Sequence, residues 1–213
     1  MDDCCSKKSE TLNVLAQGDQ RRVLVIVMII NITMFIVEFG AGIVAQSSAL
    51  MADSVDMLGD AFVYALSLYA LSRGPRWEAG AALAKGLIIL AFGLGIIVEI
   101  AFKITNGVTP SSGIMIIFSA IALLANGFCL SLLWRFRKLN VNMSSTFECS
   151  RNDVASNIGV LAAGGLVAFT GSFWPDIVIA AIIAAIFLRS AFSVLAGAWP
   201  VFRGHPGKVQ LRG

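Results

Sequence analysis

Three aspartates fall within eight residues of one another in an otherwise apolar stretch, Ser48-Ala-Leu-Met-Ala-Asp53-Ser-Val-Asp56-Met-Leu-Gly-Asp60. Spaced three and four apart, they share one face of a helix. A second segment, Glu148-Cys149-Ser-Arg-Asn-Asp153-Val-Ala-Ser-Asn157, sets Cys149 and Asp153 four apart in the same way. If the two segments are neighbouring antiparallel helices, Asp56, Asp60, Cys149 and Asp153 converge as four ligands, the number a tetrahedral divalent metal takes. Three carboxylates and a thiol, with Arg151 the nearest cation, call for a positive ion. Zn²⁺ or Cd²⁺ suits that donor set, whereas Mg²⁺ prefers an octahedral all-oxygen shell and keeps its waters. The competing reading is structural: the acids bond to backbone or to Lys85, and Cys149 is a small apolar filler.

The surrounding chain is membrane-like. Of its 213 residues 57% are apolar and 14% charged, with a mean hydropathy of +0.82, against about 25% charged in soluble domains. Disorder, a disulfide-stapled secreted scaffold and a nucleic-acid binder are excluded, and the net charge of +3 is too small to indicate a polyanionic partner. The apolar runs are 23–45, 47–72, 79–103, 111–134, 149–170 and 175–198, each of 22 to 26 residues. At 1.5 Å per residue each can cross about 30 Å of hydrocarbon. The expected fold is an all-α membrane protein, a six-transmembrane-helix bundle at 23–198 between an N-terminal tail at 1–22 and a C-terminal tail at 199–213. By insertion scales each acid at a helix centre costs about 2.5–3.5 kcal/mol, so the acids of the second span require a ligand, a partner or a water-filled cavity.

Lys and Arg set the direction. With the N-terminus in the cytoplasm, Lys7, Lys8, Arg21, Arg22, Arg73, Arg76, Arg135, Arg137, Lys138, Arg203, Lys208 and Arg212 all lie inside, leaving Lys103 at an outer edge. Both termini are then cytoplasmic, in a membrane expected to be a bacterial inner membrane. Asp2, Asp3, Cys4 and Cys5 occupy the place of a signal peptide's basic region, so the tail is expected to be retained.

At these residues the chain resembles the membrane domain of the cation diffusion facilitators, divalent-metal/proton exchangers, from about Arg22 to Ala198. The most specific part is the Asp53-to-Asp60 segment, which is similar to the family's second-helix pattern S-L-A-L-L-A-D-A-x-[HD]-M-L-x-D. In that pattern the variable His or Asp and the final Asp bind metal, positions held here by Asp56 and Asp60. Asn31 and Glu38 resemble the first-helix Asn and Glu, Glu99 the third-helix Glu, and Asn126 the fourth-helix Asn. The stretch from Asp153 to Val160 resembles the fifth-helix sequence that carries the ligand Asp, which implies a ligand role for Asp153. Three departures stand out. Cys149 takes the place of the motif's His, Lys85 falls where many members have Asn, and only fifteen residues follow Ala198, so the usual cytoplasmic domain is expected to be missing. The resemblance implies efflux of metal in exchange for protons by alternating access, no bound cofactor, no enzymatic activity, and a homodimer in the lipid bilayer. A thiolate in place of imidazole shifts the site toward Cd²⁺ and Hg²⁺ relative to Zn²⁺, and metal binding that strips protons from Cys149 and a carboxyl supplies the coupling.

Accessory candidates are Asp53, Asn157 and Glu38 near the core of the site, and Cys4 and Cys5 as a metal collector at the cytoplasmic mouth. Glu38 and Glu99 are expected to bond to Asn31 or Asn126 across helix contacts, the alternative being that they line a proton path, Cys129 to be core filler, and Lys85 to snorkel as an anchor. Two other functions compete: a non-transporting metal-binding subunit or sensor, and an intramembrane aspartyl protease. The protease needs Gly-x-Gly-Asp and Tyr-Asp patterns; Met57-Leu58-Gly59 precedes Asp60, and neither Asp56 nor Asp153 follows a Tyr.

Overall fold

The computed structural model describes residues 3–69, 75–137 and 141–203; the side chains of 3–17, 66, 67, 69, 75–78, 81, 141–146, 148, 149 and 201 lie outside that description. Among the described residues six helices follow one another: α1 Asp3–Ala45, α2 Ser48–Tyr69, α3 Pro75–Asn106, α4 Ser112–Trp134, α5 Val141–Thr170 and α6 Trp174–Phe202. Successive helices run up and down, so the α1–α2, α3–α4 and α5–α6 connections share one end of the bundle and the start of α1 and the end of α6 lie toward the other. The helical stretches 18–45, 82–106, 112–134, 150–170 and 174–200 are long and apolar enough to cross a membrane. Among the described residues α2 is not one of these, its apolar run being interrupted by Asp53, Asp56 and Asp60. The chain is an integral, multi-pass, all-α membrane protein.

α2 packs against α1, α3, α5 and α6, and this enclosure is what permits its acids. Among the described residues, the large apolar side chains left exposed sit on α1, α3, α4, α5 and α6, such as Ile36, Leu87, Leu124, Phe169 and Ile186, with none on α2. Those helices form the lipid-facing wall, and α2 is shielded from lipid. Close approach depends on small residues. A Cβ at Gly42 would lie 2.6 Å from Met51 Cγ, so only glycine lets α1 and α2 meet this near their turn. At Gly86 a Cβ would fall 2.9 Å from Leu195, which fixes α3 against α6.

The loop end is closed by a buried polar knot. α1 terminates where Gln46 takes the left-handed conformation, φ 53°. Ser47 then caps α2, its Oγ accepting from Leu50 N at 3.1 Å. Asp176, in the first turn of α6, accepts from Ser47 Oγ at 2.5 Å, Ser48 N at 3.0 Å and Ala49 N at 3.1 Å. Its carboxylate thus takes up N–H groups that the start of α2 would otherwise leave unpaired. Lys103, from the last turn of α3, donates to Asp176 Oδ2 at 2.8 Å, to Ser48 Oγ at 3.2 Å and to the Gln46 carbonyl. Both charged groups are buried. A residue read from sequence as an outer-edge cation is therefore a tie among three helices.

Candidate metal site

Asp56 and Asp60 project from α2, one helical turn apart, and Asp153 faces them from α5. One carboxylate oxygen from each lies within 4.8 Å of the others. Oxygens that share a tetrahedral ion at about 2.1 Å stand about 3.4 Å apart, so small side-chain rotations close this triad around a metal. Asp60 and Asp153 are buried and Asp56 is partly so. Asp153 Oδ2 is buried with no hydrogen-bond partner among the described residues, and Asp56 and Asp60 are near enough for their charges to act on it. Tyr64, one turn beyond Asp60 and fully buried, donates its hydroxyl to Asp60 Oδ2 at 3.0 Å, which fixes that carboxylate.

A cavity of about 200 Å³ opens beside the triad, lined by Asp56, Asp60 and Asp153 together with Lys85, Asn152 and Ser190 and the apolar Val55, Gly59, Ile89, Ile186 and Phe187. A second cavity of about 430 Å³ between α5 and α6 shares Asp56 and Asn152 with it. Lys85, Asn152 and Ser190 stand about level with the triad along their helices, while Ala155, Ser156, Gly159, Ile179 and Ile183 carry the larger cavity toward the loop end, where the Lys103–Asp176 knot lies.

Other expectations meet the structure unevenly. Cys149 precedes Asp153 by one turn of α5, but its side chain, like those of Cys4 and Cys5, lies outside the described residues. Asp53 does not join the triad; it is buried one turn toward the loop end beside Glu38 of α1 and Ser156 of α5. Asn157 turns back on its own helix, Nδ2 donating to the Asp153 carbonyl at 2.8 Å. The expected bonds of Glu38 and Glu99 to Asn31 or Asn126 are not formed: Asn31 Nδ2 donates to the Val27 carbonyl of its own helix, Glu38 faces Asp53, and Glu99 lies 4.0 Å from Lys103 one turn along α3. Lys85 does not snorkel as an anchor. It lies about as far from the start of α3 as Asp60 lies from the end of α2, so the two antiparallel helices bring it level with the acids, in the cavity wall. Cys129 is buried among Leu24, Val27, Tyr64 and Leu133, as filler should be. Sequence reasoning missed Tyr64 and Asp176; the i+4 spacing of Tyr64 from Asp60 was the available signal.

Comparison with known proteins agrees with this geometry. The chain is 25% identical to a metal cation efflux system protein of Cupriavidus metallidurans, over 91% of this chain and 66% of that protein. It is 26% identical to a cadmium, cobalt and zinc/H(+)-K(+) antiporter of Bacillus subtilis, over 84% of this chain and 62% of the relative, and 23% identical to a zinc transporter of Yersinia pestis, over 93% and 68%. It thus spans about two thirds of the length of these relatives. The family model for the cation efflux transmembrane domain matches residues 24–199, from the first turns of the α1 span to the end of α6, and the chain belongs to that family.

Proposed function

We propose that this chain exports a divalent metal cation, Zn²⁺ or Cd²⁺, in exchange for protons, with both termini in the cytoplasm and alternating access provided by the helix bundle. The observation that carries the reading is the convergence of Asp56, Asp60 and Asp153 from two helices in the interior of a membrane bundle, a placement that a cation compensates and lipid does not. Cys149, one turn from Asp153, is the fourth ligand of this reading, and Asp53 and Glu38 form a second acidic pair one turn toward the outside. Metal displaces protons from the thiol and the carboxyls; their return on the outer side releases it. The names of the relatives, which include cadmium, cobalt and zinc, support the metal class. Assembly as a homodimer through the membrane helices belongs to the same reading.

Reconstituted proteoliposomes test it. Metal flux across the bilayer with counter-moving protons is the expected result. Stoichiometric metal binding without flux would replace the exchanger with a binding subunit or sensor.

A further inference from the structure

The metal site has a cation of its own. Lys85 shares the cavity wall with Asp56, Asp60 and Asp153, and the register of α3 against α2 keeps it there. One turn along the same face of α3, Ile89 packs on Gly59, where its Cδ1 lies 3.2 Å from the position a Cβ would take. On the opposite side, Gly86 and Gly93 abut Leu195 and Leu188 of α6. α3 is therefore packed on both sides, with Lys85 on the face toward the acids. Its amine is also near enough for its charge to act on the Asp56 carboxylate.

We propose that Lys85 is the resident counter-cation of the metal site: its ammonium compensates part of the triad's charge when the site is empty, and gives way when a divalent ion enters. The proposal rests on the reading of the triad as the metal site. Three carboxylates packed together in a low-dielectric interior repel one another strongly, and a tethered ammonium relieves that repulsion without occupying a ligand position. An arriving Zn²⁺ meets an ammonium already paired with its ligands, so part of its binding energy goes into displacing that group. Lys85 thereby keeps the affinity low enough for release, and each transport cycle returns the ammonium to the acids as the metal leaves. A Lys serves this role where an Asn would not, because the stem is flexible and the charge compact.

The test is Zn²⁺ and Cd²⁺ binding to the purified full chain in lipid nanodiscs, by competition with a chromogenic chelator. Lys85→Met, which keeps the stem and removes the charge, is expected to tighten Zn²⁺ binding at least tenfold, and Lys85→Arg to bring the affinity back toward the wild-type value. Lys85→Asn is measured in parallel, so that the question is answered if the Met variant does not fold. A merely structural Lys85 would weaken binding when replaced; unchanged or weaker binding in the folded neutral variants would overturn the proposal. Asp153→Asn separates the two levels. Loss of binding there with unaltered affinity in the Lys85 variants refutes the counter-cation alone, whereas wild-type binding by Asp153→Asn refutes the triad as the site and the proposal with it.

Discussion

Tyr64 donates its hydroxyl to Asp60 Oδ2 at 3.0 Å from one turn further along α2, with both side chains buried. A hydrogen bond to a charged acceptor contributes about 1.5–3 kcal/mol, and here the bond also selects one orientation of a ligand. Tyr64→Phe should therefore raise the KM for Zn²⁺ uptake about tenfold while leaving a folded protein. Uptake kinetics in proteoliposomes check this, and an unchanged KM would show that Asp60 is held by other contacts.

Asp60→Ala and Asp153→Ala each remove one member of a triad whose oxygens lie within 4.8 Å of one another. Each should lower metal flux at least a hundredfold, and neither should unfold the bundle, because losing a buried acid relieves like-charge repulsion. Flux assays paired with thermal melts separate the two effects. Normal flux in either variant would remove that residue from the site.

Cys149→His replaces a soft thiolate donor with imidazole. The Zn²⁺ to Cd²⁺ transport ratio should rise about tenfold or more. A ratio equal to that of the wild type would mean that Cys149 does not touch the metal.

Lys103 and Asp176 are both buried and 2.8 Å apart. Removing one partner of a buried pair costs about 3–5 kcal/mol, because the remaining charge is left uncompensated. Lys103→Met should thus lower the melting temperature by about ten degrees, and Lys103→Met/Asp176→Asn should recover part of the loss, since Asn still accepts from the N–H groups that start α2. Additive losses in the double variant would contradict the pairing.

What could be read from the sequence follows from how local each signal is. The ends of the first, fourth and fifth spans at Ala45, Trp134 and Thr170 coincide with the helix ends, because each is marked by nearby breakers or interfacial aromatics. Gly171, for instance, adopts φ 63° just past α5 and donates to the Val167 carbonyl at 2.9 Å. Asp56 and Asp60 were legible because acids spaced one turn apart in an apolar helix require an explanation, and Asp153 because its spacing from Cys149 and the fifth-helix resemblance pointed to the same cluster. The Lys103–Asp176 tie was not, since its partners are 73 residues apart and each looks like an ordinary charge at a span end. Lys85 was misjudged for a related reason: its depth depends on α3 beginning at Pro75 and on its register with α2, a property of the packed bundle.

Zinc bound to the purified chain, examined by X-ray absorption at the metal edge, shows whether the triad and Cys149 hold the ion. One Zn²⁺ per chain is expected, with carboxylate oxygens at about 2.0–2.2 Å and one sulfur at about 2.3 Å, a shell that is lost in Asp153→Asn. An identical shell and occupancy in Asp153→Asn would contradict that placement.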